Sequence, residues 1–409
     1  MSDINRNHRS RGIIPFPDAE ARKALEQKRG IPPSSPTDNK IVIREYDHVI
    51  FIATIILVAF GLVMVFSASY YAAMHSGAGA YSFFRNQAMA AAGGLVFMVI
   101  AATVNYRMLA RFSGLLYAMA IVLLGLVFTP MGVEHNGALR WVAFGDFNFQ
   151  PSEAAKLATI VMLSVYISKD VNRVNNIRGL LGCALIVGLP VMLVAMGRNL
   201  STVIILGVIG FAIIFLASPY FWRFAVGVAA AAAGAAAYIA FGAEFRRARI
   251  DAWLDPFSDP SGVGFQTIQS LYAVASGGFF GLGLGNSIQK RYFLPEAQND
   301  FIFAIIVEEL GLFGAGIVLM LFAVLVWRGM RVAMNSRSML GCLMATGIVT
   351  MISAQVIINV GVVTNTIPNT GIPLPFISFG GTSLVVMMTA VGILLNISRY
   401  QKAADKGRT

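Results

Sequence analysis

The sequence predicts an all-α polytopic membrane protein with about ten transmembrane helices, both termini cytoplasmic and one large extracytoplasmic loop. Hydrophobic residues fill 57% of the 409 positions and charged residues 12%, about half the charged share of soluble domains. Apolar runs of about twenty residues recur along most of the chain, each long enough to cross about 30 Å of hydrocarbon at 1.5 Å per helical residue. Basic residues collect on alternate loops, the asymmetry that orients a membrane protein. A water-soluble fold is excluded on these grounds. The net charge of +11 sits mainly in those short loops, so it reads as membrane orientation beside anionic lipid and not as a nucleic-acid surface.

Residues 1–47 mix nine basic with seven acidic side chains and five prolines, the composition of a disordered cytoplasmic tail. Ser67-Ala68-Ser69 imitates a signal-peptidase site. The apolar run from Val49 to Ser69 is nonetheless long enough to span and follows a long polar segment, so it reads as a retained first helix. Further spans are expected near 84–104, 110–129, 153–169, 178–197, 200–217, 220–242, 301–328, 339–365 and 377–398, closing a transmembrane domain over 48–398 with a cytoplasmic tail at 399–409. The loops assigned to the inner side hold thirteen basic residues against Asp170 and Asp405, whereas 243–300 holds five basic and six acidic. Both termini are therefore cytoplasmic and the number of spans is even. The 243–300 segment lies outside, between helices 7 and 8, and connections of that length are commonly functional.

Cys183 and Cys342 fall inside apolar spans and read as packing residues, and the four histidines show no zinc-type spacing. Within 289–304, Asp300 stands where an apolar helix begins. It can cap exposed backbone N–H groups or serve as general base at the water–membrane boundary. Glu308 and Glu309 follow on the same helix. Intramembrane carboxylates are functional hypotheses by default; Glu308 lies about 80° around the axis from Asp300 and roughly 12 Å deeper, and Glu309 points the opposite way, toward another helix.

A second charged cluster joins Arg140 to the stretch from Gln150 to Lys156, where Ser152 can cap a helix and Glu153 and Lys156 share one face. That pair is either a local salt bridge or, with Arg140, a holder for an anionic headgroup. The loop also carries a glutamine pair, Gln266 and Gln269, and a glycine run over 277–285. No Lys-Ser/Thr follows that run as in a phosphate-binding P-loop, so it reads as a flexible or tightly turned loop. The prolines of 367–375 exclude a regular helix there, and broken backbone at membrane depth lines a cavity or is buried in protein.

Taken together, Asn136-Gly-Ala-Leu-Arg140-Trp141, Gln150-Pro-Ser-Glu-Ala-Ala-Lys156, Trp253-Leu-Asp-Pro-Phe, Gly264-Phe-Gln-Thr-Ile-Gln269-Ser, Phe293-Leu-Pro-Glu-Ala-Gln-Asn-Asp300-Phe-Ile-Phe-Ala and Gly371-Ile-Pro-Leu-Pro-Phe-Ile-Ser-Phe-Gly-Gly-Thr-Ser383 closely resemble SEDS proteins (shape, elongation, division and sporulation) across about 45–400. The Pro-Phe-Ile-Ser-Phe-Gly-Gly form is more similar to the division branch than to the elongation branch. Arg198-Asn199 departs from the Pro-Asp common in the family, as Asn299 departs from its usual Thr.

The resemblance implies a ten-helix peptidoglycan glycosyltransferase in the bacterial cytoplasmic membrane, at the division septum. It would polymerise lipid II into a nascent glycan chain and work with a class B penicillin-binding protein and other division proteins. It places the essential acid on Asp300. Candidate cations for the pyrophosphate leaving group are Arg140, Lys156, Arg246, Arg247, Lys290 and Arg291, with a divalent cation (Mg or Mn) at Asp300 also implied. Two other readings stay open at this stage. A lipid II flippase would place its charges near mid-membrane, and a non-catalytic division scaffold would work through its tail.

Overall fold

A computed structural model describes residues 45–75, 77, 79–135, 138–145, 147–218, 251–291 and 293–400. The expected N-terminal tail (apart from residues 45–47), the span at 220–242, Arg246 and Arg247, and the last nine residues lie outside them.

The chain opens with α1 (His48–His75), α2 (Ser82–Thr103), a short α3 (Tyr106–Arg111) and α4 (Ser113–Leu126). The span expected at 110–129 is thus divided in two. Asn105 caps α3 by accepting from the Arg107 N–H at 3.0 Å, and α4 restarts beyond Phe112.

A small antiparallel sheet then departs from the all-α expectation: β1 (Gly132–His135), β2 (Ala138–Phe144) and β3 (Phe147–Phe149), in the order β1-β2-β3. The register of β1 on β2 shifts at Arg140, since Val133 pairs with Trp141 and Glu134 with Leu139. Arg140 is the extra residue of this bulge, a device that re-aims a side chain, and it is half-buried.

α5 (Pro151–Lys169), α6 (Ile177–Met196) and α7 (Leu200–Ala217) follow. Pro151 occupies the first position of α5 behind an uncapped Gln150, a site where a missing N–H costs nothing. Ser152, expected as the cap, is instead buried inside the first turn. In the outer loop, α8 (Phe265–Gly277) packs on α9 (Ile302–Asn335), and α10 (Met339–Val363) and α11 (Gly381–Ser398) complete the order. Seven helices among the described residues are long and apolar enough to cross a membrane, which makes this a multi-pass membrane protein. α11 begins four residues later than expected, because Phe376 has a positive φ of 65° and residues 376–380 are irregular.

α9 is interrupted. Gly311 adopts φ 69° and ψ −174°, a conformation that only glycine takes without strain. The glycine run 277–285 fills the break: the N–H groups of Leu282 and Gly283 donate to the carbonyls of Glu308 and Glu309 at 2.9 Å, and those of Leu312 and Phe313 donate back to Gly278 and Phe279 at 3.0 Å. A Cβ on Gly277 or Gly281 would lie 2.1–2.2 Å from a carbonyl oxygen of α9. The run is tightly turned, and its glycines permit backbone-to-backbone contact.

α2 and α11 approach through glycine as membrane helices commonly do, a Cβ on Gly392 falling 2.3 Å from the Met98 carbonyl. At the bundle end opposite Asp300, Asp47 pairs with Arg328 at 2.7 Å and its N–H donates to Ser398 Oγ at 3.0 Å. The start of α1 and the end of α11 therefore meet at one end of the bundle.

Candidate active site

Asp300 lies in the turn just before α9. The N-cap position falls on Phe301, which makes no side-chain cap. Three hydrogen bonds fix the backbone around it. Asn359 of α10 donates from Nδ2 both to the Asp300 carbonyl at 2.8 Å and to the Ile372 carbonyl at 2.7 Å. Ser378 Oγ donates to the Asn299 carbonyl at 2.6 Å. The Phe379 N–H donates to the Gln298 carbonyl at 2.9 Å. The irregular 371–380 segment is in turn held by Gln87 of α2, which donates to the Ser378 carbonyl at 3.0 Å and accepts from the Gly380 N–H at 3.1 Å. The proline-broken stretch thus lies beside the carboxylate as a rigid wall.

Gly371 is the nearest point of that wall. Its φ is +66°, and a Cβ there would stand 3.0 Å from Asp300 Oδ2 and 3.6 Å from Arg140 Nη1. The structure so brings Arg140, from the bulge of β2, to the same spot as Asp300. Arg140 also lines a cavity of about 20 Å³ with Ser152, Asn199 and Leu139. Asn199 caps α7 by accepting from the Thr202 N–H at 3.3 Å, and Arg198 has a φ of 58°. The unusual Arg198-Asn199 turn therefore has a structural duty beside Arg140.

Lys156 and Glu153 form a buried salt bridge of 2.8 Å, and Ser383 Oγ donates to the other Glu153 oxygen at 3.1 Å. The local pair is real, and it joins α5 to the Gly380–Ser383 end of the wall. Gln266 bridges the Pro295 carbonyl, to which it donates at 3.1 Å, and Asn369, from which it accepts at 2.9 Å. Gln269 is half-buried one turn further along α8. Arg291 is exposed with its guanidinium 5.6 Å from the Tyr71 ring centroid.

Two further candidates, Lys290 and Glu308, are bonded within the fold. Lys290 is buried with Nζ 2.6 Å from Glu309 and 3.0 Å from Ser67 Oγ. Glu308 is buried too, accepting from Ser287 Oγ and from the N–H groups of Ile288 at 2.8 Å and Gln289 at 3.3 Å. Both hold the loop against α9 through these contacts. Glu309 reaches Ser67 of α1, as its position around the helix suggested. Gln87 and Asn359 escaped the sequence reading because a lone polar residue in an apolar run carries no pattern.

Among the described residues no three of His, Cys, Asp and Glu gather as a metal-ligand set. Asp300 therefore offers a hard cation one carboxylate, a fit for an ion that takes its other ligands from water and phosphate.

Fold and site together define a multi-pass membrane protein with a carboxylate and a guanidinium converging at one end of its bundle. The chain belongs to the FTSW_RODA_SPOVE family of cell cycle proteins, whose match covers residues 47–403. It is 41% identical to stage V sporulation protein E of Bacillus subtilis (strain 168) over 87% of this chain and 98% of that protein. It is 37% identical to a probable peptidoglycan glycosyltransferase FtsW of Geobacter metallireducens, over 88% and 96%. Among solved structures, one described as "Structural coordination of polymerization and crosslinking by a peptidoglycan synthase complex" contains a chain of 26% identity with a TM-score of 0.73, covering 87% of this chain and 98% of that one. Rod shape determining protein RodA of Thermus thermophilus matches at 25% identity and a TM-score of 0.64, over 87% and 98%.

Proposed function

We infer that this protein is a peptidoglycan glycosyltransferase that polymerises lipid II at the outer face of the cytoplasmic membrane. The observation that carries the reading is the convergence of Asp300 and Arg140 on Gly371, in a family whose relatives include proteins named as glycosyltransferases. Asp300 takes the proton from the acceptor sugar's 4-hydroxyl as that oxygen attacks the donor's anomeric carbon. The bond to polyprenyl pyrophosphate breaks, and the charge developing on the leaving group is met by fixed cations, Arg140 first. Arg246, Arg247 and Arg291 are further candidates, with Gln266 and Gln269 beside the sugars; Lys156 would join them only by leaving its buried pair with Glu153. A divalent cation held by Asp300 would neutralise pyrophosphate charge. The distribution of buried charge favours this reading over a flippase: Glu153, Lys156, Lys290 and Glu309 are paired within the fold.

We place the protein at the septum, with a class B penicillin-binding protein as partner. Support for the partner comes from the similar chain in a peptidoglycan synthase complex.

The test is a reconstituted assay with lipid II, this protein, its transpeptidase partner and no other polymerase, with and without a chelator. Asp300→Asn keeps the size and the backbone contacts. General-base loss usually costs about 10²–10⁴ in rate, so chain synthesis falls by at least the lower figure while lipid II binding and Tm persist. Substantial glycan chains from the Asn variant would remove Asp300 from the mechanism.

A further inference from the structure

Asp300 sits at the top of a helical stub. The break at Gly311 separates Ile302–Leu310, nine residues, from the long lower part of α9. A helix transmits orientation through its continuous hydrogen-bond ladder, and at Gly311 that ladder stops. The stub must be aimed by its own contacts. At its top Asn359 holds the Asp300 carbonyl. At its bottom, about 13 Å away at 1.5 Å per residue, stand Glu308 and Glu309.

The lower contacts are charged and closed to water. Glu309 accepts from Ser67 Oγ at 2.7 and 2.8 Å and from Lys290 Nζ at 2.6 Å, and Lys290 donates as well to the Ser67 oxygen at 3.0 Å. Lys290 side-chain exposure is 2% and that of Glu309 is 0%. Ser67 belongs to α1, Lys290 to the outer loop and Glu309 to the stub, so one triad ties three separate parts of the chain. Glu308 beside it clamps the amides of Ile288 and Gln289. Lys290 is also only ten positions before Asp300, so the segment between them is pinned at both ends.

We propose that Lys290, Glu309 and Ser67 form a latch that positions Asp300, setting the tilt of the stub and with it the direction of the carboxylate toward the acceptor hydroxyl. They touch no substrate. This proposal rests on the polymerase reading above. A latch of this kind acts on turnover more than on substrate binding, because misdirecting a base by a fraction of an ångström slows proton removal while leaving the headgroup contacts in place.

The experiment uses the full-length protein with its transpeptidase partner in the lipid II assay. Lys290→Met and Glu309→Gln are each expected to lower kcat at least about tenfold with KM for lipid II within about threefold. The exchanged pair, Lys290→Glu with Glu309→Lys, restores the attraction and is expected to regain most of that loss. Ser67→Ala keeps both charges; it lowers kcat about threefold at an unchanged Tm. Single variants at wild-type kcat, or losses that the exchanged pair does not relieve, would overturn the latch. Should both single variants fail to fold, Ser67→Ala decides, and wild-type kcat in that variant refutes the proposal. A wild-type protein that makes no glycan would sink the polymerase reading alone. The latch is then judged by hydrogen exchange, where Ser67→Ala must lose amide protection in the 281–291 segment and retained protection refutes it.

Discussion

Gly371→Ala tests the geometry of the site without touching its chemistry. The new Cβ would lie 3.0 Å from Asp300 Oδ2, whereas ordinary contact begins at 3.4 Å, so the carboxylate or the wall must yield by about 0.4 Å. The positive φ of +66° adds about 1–2 kcal/mol of backbone strain. Active-site groups must be held within about 0.5 Å of productive geometry, and a 1 Å misplacement can cost about a hundredfold. A shift of this size should therefore lower kcat about tenfold, with a modest fall in Tm. Gly79→Ala is the matched control, since Gly79 has a φ of +86° and nothing within 4 Å of its would-be Cβ. It carries the same kind of strain and should leave polymerisation intact. Wild-type kcat in Gly371→Ala, or an equal loss in Gly79→Ala, would refute the claim that Gly371 sets the position of the carboxylate.

Arg140→Ala removes a charge-assisted contact, typically worth about 1.5–3 kcal/mol, so lipid II turnover should drop roughly ten- to a hundredfold; unchanged kinetics would take Arg140 out of leaving-group stabilisation. Lys156→Ala alone strands a buried carboxylate and should cost about 3–5 kcal/mol in stability. The double change Glu153→Leu with Lys156→Met should therefore unfold later than Lys156→Ala, and full activity in that double variant would make the pair purely structural. A reporter fused after Lys406 should read cytoplasmic and one inserted near Ser261 external; opposite signals at both would invert the topology.

Long apolar runs were legible because a span needs about twenty of them in a row, and α1, α2, α5, α6 and α7 begin or end within a few residues of expectation. Asp300, Arg140 and the Glu153–Lys156 pair were legible as charges at the edges of apolar runs. The sheet was hidden because its seven-residue central strand alternates only briefly among residues that also suit a helix. The break at Gly311 was hidden for a different reason. A glycine inside an apolar helix is usually tolerated, and only the partner run at 277–285 reveals that the backbone turns there. The internal partners of Lys290 and Glu308 were not legible because a sequence shows a formal charge and not the distant group it meets.

The meeting of α1 and α11 at Asp47, Arg328 and Ser398 has a mechanical consequence. Asp47 and Ser398, near the two ends of the membrane domain, meet at one patch, on the order of 40 Å along α9 from Asp300 at about 1.5 Å per residue. One aspartate there joins α1, α9 and α11 through an ion pair and a hydrogen bond. Asp300 lies at the other end of the bundle, so under the proposed topology a tether on either tail would act first on this junction and only through it on the site.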